Sequence, residues 1–325
     1  MNTTKAIFVD RKENAAGLKT FLARQAPEFR DIQIFDKNDI ISNKGIAKDV
    51  RFLFSTWNMP VLVEAEIEAS FPALEAIFYA AGDTTYFSEP YERRGIRIYS
   101  ARYENSIPVA EFVVAQVLLA NKGYFLASDI YKRGIWGFGF RKARALSRKR
   151  PGNMASTVGI IGFGTVGALV VSMLKQFDLE LLVSDPYVDE AKVNSFGARR
   201  TGLDELFETS DVISNHLPDV AATRNLLSYR YFSKMKPEAT FINTGRGRQV
   251  DEKGLVRAMR EQKSRSAMLD VTSHEPPFPW SPIWRTRNIF LSPHIAGGQA
   301  NEVERLYQSV FKKYLEHRSG AGSST

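Results

Sequence analysis

The chain has no cysteine, so disulfides, thiolate metal sites and cysteine nucleophiles are excluded, and any chemistry must use other groups. Long apolar runs are missing too. The longest one near a helical pattern, 112–120, is about half of the ~20 residues that a membrane span needs. The opening MNTTKAIFVDRKE lacks the hydrophobic segment of a signal peptide. The expectation is a cytoplasmic protein with no membrane partner. Disorder is not indicated either: of 325 residues, 44% are hydrophobic and 25% charged, the balance of an ordinary folded chain. That length fits two domains, each able to bury its own core.

Acidic residues are the scarcer charge, 36 against 44 Lys and Arg, for a net charge of +8. The excess is concentrated in 132–150, KRGIWGFGFRKARALSRKR, which holds no acid at all. Such a run reads as a solvated basic connector, lying over an anionic ligand or a partner subunit. Nucleic acid, which any basic surface attracts without regard to sequence, stays as the minority reading of this segment.

Short β-rich runs alternate with polar or helical stretches through the first hundred residues, at 6–9, 32–35, 52–55, 76–79 and 96–99. This is the pattern of βαβ units and a parallel sheet. Ser106 and Pro108 open a long helical run, VAEFVVAQVLLANKGYFLASDIY, suited to linking two domains. After Pro151-Gly152-Asn153 the alternation resumes, with strands expected at 157–161, 180–184, 211–215, 239–243, 266–271 and 288–291. Six strands with intervening helices make a doubly wound unit. A terminal helix is expected over 298–317, and SGAGSST reads as a flexible tail.

Residues 158–167, VGIIGFGTVG, carry an apolar strand straight into Gly162-Phe163-Gly164-Thr165-Val166-Gly167, with a helical pattern behind. Each glycine has a physical task. Gly162 makes the tight turn, Gly164 lets a diphosphate approach the backbone, and Gly167 lets helix and strand pack closely. The helix N-terminus adds unpaired N–H groups and a positive dipole end. The next strand ends in Asp185-Pro186, where a carboxylate accepts from both ribose hydroxyls and repels a 2′-phosphate, so NAD is preferred over NADP. Arg199-Arg200 could compensate a 2′-phosphate, but lies too far along the chain on this reading.

Three further segments fall at expected strand ends: FINTGRGRQVDEKGL, LDVTSHEPP and LSPHIAGG. Reduction of a 2-oxo acid asks for a forked cation on the carboxylate and a proton for the carbonyl oxygen. Arg246, between Gly245 and Gly247, supplies the first, and His294 the second. An unperturbed imidazole titrates near pH ~6.5, and a carboxylate partner, here Glu275, favours its protonated form. Among the other histidines, His216 in SNHLPD is assigned to the cofactor wall, His274 points away from its neighbour Glu275, and His317 sits solvated on the terminal helix. No metal is expected.

In these segments the chain resembles the D-isomer-specific 2-hydroxyacid dehydrogenase family. GFGTVG, SDPY, HLPDVAATRNL, FSKMKPEATFINTGRGRQVDEKGL, DVTSHEPP and SPHIAGG stand in the family's order, within 76–297. The resemblance implies that Arg246 binds substrate carboxylate and carbonyl, and that Glu275 pairs with His294. It also implies that Asp270 and the Thr244 backbone hold the nicotinamide carboxamide, while Leu217 and Pro218 flank the adenosine. Thr223, Gly245 and Gly297 complete the expected cofactor wall.

The implied fold is α/β with two doubly wound parallel-sheet domains. A Rossmann NAD-binding domain, 106–298, is inserted into a flavodoxin-like substrate domain, 1–105 plus 299–325, with a cleft and hinge between them. A homodimer is implied as well. Departing from the family's glycine-rich substrate loop, this chain has Tyr79-Ala80-Ala81-Gly82-Asp83. Backbone binding of a carboxylate carries over to Ala81 and Gly82, and Trp57, in the segment 55–60, is the candidate for meeting the substrate side chain. The implied activity is NAD(H)-dependent interconversion of a small D-2-hydroxy acid and its 2-oxo acid. The alternatives are a non-catalytic NAD(H)-sensing protein on the same fold, or a phosphoglycerate dehydrogenase, although no regulatory domain is seen after His317. Formate dehydrogenases carry a glutamine opposite the histidine, so Glu275 speaks against that branch.

Overall fold

A computed structural model describes residues 4–43 and 45–320. Of the expected tail SGAGSST, residues 321–325 lie outside them. The chain divides into two compact units, one formed by the stretch up to Asn105 together with the stretch from Gly298 onward, the other by Ser106–Gly297.

The first unit is built on strands β1 (Thr4–Phe8), β2 (Gln33–Phe35), β3 (Val50–Ser55), β4 (Ala76–Tyr79) and β5 (Arg97–Ser100). They lie in the order β2-β1-β3-β4-β5, all parallel, which is the flavodoxin-like winding. A parallel sheet is covered on both faces, so its strands are apolar throughout rather than alternating with polar residues. In β3, Phe52 and Phe54 enter the core beneath Tyr314 of the helix Asn301–Arg318, while Leu53 enters the opposite core with Ile77 and Tyr79. His317 is not simply solvated. Its Nδ1 lies 3.0 Å from the Tyr99 hydroxyl, and its ring packs edge-on against Phe52, Phe78 and Tyr99.

The second unit carries β6 (Met154–Ile161), β7 (Asp178–Ser184), β8 (Arg199–Arg200), β9 (Val212–Asn215), β10 (Thr240–Asn243), β11 (Ser266–Leu269) and β12 (Ile289–Leu291). Their order is β12-β11-β10-β9-β6-β7-β8, again all parallel. The sheet therefore has seven strands, not six. The extra one, β8, is a two-residue edge pairing with β7, too short for any periodicity to mark it. The chain starts at β6, builds to one side through β7 and β8, then returns to build the other side from β9. That reversal opens a crevice at the carboxyl ends of β6 and β9, where such sheets bind ligands.

Two expectations about the linking segment are corrected. The helix is Arg102–Ala120, with Pro108 inside it rather than at its start. Proline removes one N–H from a helix, but Ser106, Pro108, Ala110, Val113 and Val117 are buried, and that packing overrides the local preference. The run then breaks at Gly123, whose φ of +65° ends the right-handed path. The basic segment, expected as a solvated connector, is largely exposed. It is most of a helical hairpin, Tyr124–Arg133 and Trp136–Ser147, drawn together where Gly134 and Gly139 touch backbone to backbone. Among the described residues, no single helix is long and apolar enough to cross a membrane.

Candidate active site

The glycine loop sits at the crevice. Gly162 adopts φ +85° and donates its N–H to the Ser184 carbonyl at 2.9 Å. A Cβ there would strike the His216 backbone, and one on Gly167 would strike the Gly162 carbonyl. Turn, helix and the segment after β9 are thus packed against one another through two missing side chains. Gly164 precedes the helix Thr165–Leu174 as its N-cap, and nothing lies within 4 Å of a Cβ built on it. That open space, beside the unpaired N–H groups of the turn containing Thr165 and Val166, is the room a diphosphate needs.

Asp185 stands at the end of β7. Its Oδ2 accepts the Phe163 N–H at 2.8 Å and its Oδ1 the Tyr187 N–H at 2.9 Å, which orients the carboxylate and leaves each oxygen a further lone pair for ribose. A cavity of about 500 Å³ opens beside it, lined by Asp185, Pro186, Glu190, Arg200, Leu203 and Leu217, among others. Arg200, set aside from the sequence as too distant, is a neighbour. Its Nε donates to the Asp185 carbonyl at 3.1 Å and its Nη2 to the Pro186 carbonyl at 3.3 Å. Register explains this, because β8 pairs Arg200 with Val183.

The opposite wall follows β9. The His216 N–H donates to the Ile161 carbonyl at 2.7 Å, and its Nε2 lies 2.9 Å from the Ser214 hydroxyl. Although a little of the residue reaches solvent, desolvation lowers its pKa to about 3. A neutral ring suits a wall and not a proton donor at neutral pH. The Thr223 hydroxyl donates to the Pro218 carbonyl at 2.7 Å, fixing the turn after Leu217 and Pro218. At the end of β10, the Thr244 hydroxyl is buried with no hydrogen-bond partner among the described residues. An orphaned polar group there, together with the glycine cradle, fits a dinucleotide.

Arg246 follows within two residues. Its N–H donates to Gln249 Oε1 at 3.1 Å, its carbonyl accepts from Asn243 Nδ2 at 3.3 Å, and its Nη1 donates to the Gly245 carbonyl at 2.9 Å. Gly247 is so close to the backbone of Thr272 and Ser273 that no Cβ could stand there. This presses the Arg246 loop against the chain leading to Glu275. Glu275 Oε2 and His294 Nδ1 are 2.7 Å apart, and Glu275 Oε1 accepts the Thr272 N–H at 3.3 Å. The carboxylate holds Nδ1, so Nε2 is the ring nitrogen left for a ligand, a donor when the ring is protonated and an acceptor when it is neutral.

Asp270, 3% exposed, accepts from the Ser292 hydroxyl at 2.5 Å and from the Ile295 and Ala296 N–H groups at 2.9 Å each. Gly297 closes this loop at the end of the unit. A cavity of about 410 Å³ is lined by Asp270, Glu275, Trp284, Ser292 and His294, with prolines 276, 277 and 293. A cavity of about 840 Å³ lies elsewhere in the unit, between the basic hairpin and Met259, Arg260 and Arg285–Asn288. Neither Arg246, Glu275 nor His294 lines it.

In the first unit, Trp57 follows β3 and packs on both of that unit's cores. Ala81 is buried, and Gly82 lies against the Asn105 amide, where a Cβ would be 2.9 Å from Nδ2. Both follow β4, and the segment 80–83 forms no helix or strand. Arg200, Asn215 and Gln249 are the residues at these sites that sequence reasoning missed. For the last two, the available signal was an amide side chain at a strand end or loop otherwise marked for burial.

Residues 114–296 match the family described as "D-isomer specific 2-hydroxyacid dehydrogenase, NAD binding domain". The chain is 33% identical over 204 residues to D-3-phosphoglycerate dehydrogenase of Archaeoglobus fulgidus, covering 63% of this chain but 37% of that protein. It is 28% identical over 274 residues to glyoxylate reductase of Korarchaeum cryptofilum, covering 84% of this chain and 81% of the relative. In fold it resembles D-2-hydroxyisocaproate dehydrogenase, with a TM-score of 0.76 at 18% identity over 99% of this chain and 98% of that one. A second likeness, at TM-score 0.74, 20% identity and 97% coverage of each chain, is to an acyclic imino acid reductase solved with NADPH and D-Arg. With the family match covering more than half of its length, and the glycine loop, Asp185 and the Glu275–His294 pair in place, the chain belongs to the D-isomer specific 2-hydroxyacid dehydrogenase family.

Proposed function

We propose that this protein reduces a small 2-oxo acid to its D-2-hydroxy acid, or runs the reverse reaction, with NAD(H). The observation that carries the reading is the 2.7 Å pair of Glu275 and His294, in the same unit as the glycine loop and the Arg246 loop. Bound NADH supplies the hydride, and the acid gains one hydride and one proton in all. Arg246 holds the substrate carboxylate and carbonyl with a planar fork that a lysine could not reproduce. His294, oriented through Nδ1 by Glu275, gives its Nε2 proton to the carbonyl oxygen as negative charge develops there. Thr244 and Asp270 face the nicotinamide end, Asp185 the ribose, and Leu217 and Pro218 the adenosine. Ala81 and Gly82, through backbone N–H groups, and Trp57 are the substrate-binding residues proposed in the first unit.

The chain acts as a cytoplasmic homodimer in this reading. The exposed Ile135, Trp136 and Phe138 on the hairpin support self-association, since exposed apolar clusters of this kind mark interfaces. Sedimentation of the purified protein checks it.

The test is a panel of 2-oxo acids including glyoxylate, hydroxypyruvate and bulkier members, run with NADH and NADPH in parallel. Turnover is expected with NADH. His294→Gln should lower the rate by ~10²–10⁴-fold, and Arg246→Ala should chiefly weaken acid binding. No turnover across the panel with cofactor binding intact would count against dehydrogenase activity, and a loss below tenfold in His294→Gln would reassign the proton donor.

A further inference from the structure

We propose that Gln249 is a positioning residue that ties the loop carrying Arg246 to the wall made by Leu217 and Pro218, so that one buried amide serves both the substrate grip and the cofactor grip. The assignment of those two grips rests on the function proposed above.

The neighbouring strands β9 and β10 end in register with Asn215 opposite Asn243. Asn215 and Gln249 are 0% exposed and Asn243 is 1% exposed. Burial on its own favours apolar side chains at such positions, and a buried amide persists only when its hydrogen bonds are made. Asn215 Nδ2 donates to Asn243 Oδ1 at 3.0 Å and to Gln249 Oε1 at 2.7 Å, while its Oδ1 accepts the Leu217 N–H at 3.3 Å. Asn243 Oδ1 also accepts the Gly245 N–H at 3.1 Å. Gln249 Oε1 takes the Arg246 N–H at 3.1 Å, and its Nε2 donates to the carbonyls of Leu217 at 2.8 Å and Pro218 at 2.9 Å.

The chemistry of the partners leaves one orientation for that amide. Two carbonyls can only accept, so they face the NH₂, and a backbone N–H can only donate, so it faces the oxygen. Both donors and both lone pairs of Gln249 are then used. The Arg246 backbone is held on both sides, its N–H by Gln249 and its carbonyl by Asn243. On the far side of the amide, Leu217 lines the cavity beside Asp185, and the adjoining His216 carbonyl closes over Gly162. An apolar residue at 249 would leave the Arg246 N–H and the Leu217 carbonyl unsatisfied, with the Pro218 carbonyl kept by the Thr223 hydroxyl, and would free the two segments from each other.

The experiment measures NADH affinity by fluorescence titration and the KM of the best 2-oxo acid, for wild type, Gln249→Leu and Gln249→Glu. Gln249→Leu severs both sides, and each constant is expected to rise about tenfold, the effect of a buried group left unpaired. Gln249→Glu keeps the oxygen facing Arg246 and Asn215 but sets a second oxygen against the Leu217 and Pro218 carbonyls. It should weaken NADH binding more than it raises the acid's KM at pH 8. Affinity should recover toward pH 6, because a buried carboxyl readily takes up the proton that lets it donate again. A purely structural role would lower thermal stability without that split or that recovery. Constants within twofold of wild type in both variants would overturn the proposal, as would a parallel rise in Gln249→Glu with no recovery at low pH. If Gln249→Leu does not fold, the nearly isosteric Gln249→Glu decides by itself. If wild type binds NADH but reduces no 2-oxo acid, the enzymatic reading fails, and the pH recovery of NADH affinity still decides the link to the wall.

Discussion

Asp270 grips the loop of His294 from both sides: its carbonyl oxygen accepts the His294 N–H at 3.0 Å, while its carboxylate accepts the next two backbone N–H groups. His294 itself has φ +54°, a left-handed conformation that side chains other than glycine seldom adopt. The buried carboxylate overdetermines the loop and so maintains that conformation. Asp270→Ala should lower kcat at least tenfold, with a drop in melting temperature, and steady-state kinetics beside thermal denaturation check both. Activity within twofold of wild type would separate the clamp from catalysis.

Glu275 orients the His294 ring through its 2.7 Å contact with Nδ1. Glu275→Gln keeps a hydrogen-bonding oxygen at that position, whereas Glu275→Ala leaves Nδ1 unheld. Glu275→Ala should therefore lower kcat more than Glu275→Gln, and steady-state kinetics of the two variants read the difference. An equal loss in both would show that the contact is not what Glu275 supplies.

Cofactor choice should follow Asp185. NADH is expected to be used at least tenfold better than NADPH, and Asp185→Ser should narrow that ratio by removing the repulsion of a 2′-phosphate. Arg200→Ala removes the brace on the Asp185 and Pro186 carbonyls and should raise the KM for NADH without improving NADPH. If Arg200→Ala instead weakens NADPH selectively, Arg200 is a phosphate ligand.

Acid should destabilise the second unit through His216. Its folded pKa, about 3, lies below that of a free imidazole near ~6.5, so the unfolded chain takes up the proton first. The stability contributed by the neutral ring is complete above pH ~6.5 and is lost as pH falls from there toward 3, at up to about 1.4 kcal/mol per pH unit. Replacing His216 by Asn should flatten the fall in denaturation midpoint between pH 6.5 and 5. An unchanged slope would show that other groups dominate acid unfolding.

Much of the architecture was legible because its signals are local. Apolar runs of strand length read as buried parallel strands, and β4 (Ala76–Tyr79) lies where the run was. Gly162 and Gly167 were readable for a related reason, since a φ of +85° and a backbone contact in the next turn each exclude a side chain. The helices of the basic segment were not legible, because charge dominates its composition while the hairpin depends on the approach of Gly134 and Gly139. Arg200 was misjudged by counting residues along the chain, when sheet register sets the distance.

The sequence by itself determined the α/β class, the glycine turn and the supply of an arginine, a glutamate and a histidine at strand ends, because periodicity and steric exclusion act over a few residues. Tertiary structure decided which of those groups hold one another. Glu275 meets His294 from 19 residues away, Asp270 reaches Ile295 and Ala296, and Gln249 reaches Leu217 and Pro218. Hydrogen bonds between segments distant along the chain have no local signature. They form only where the sheet brings strand ends together and burial excludes the water that would otherwise take either partner.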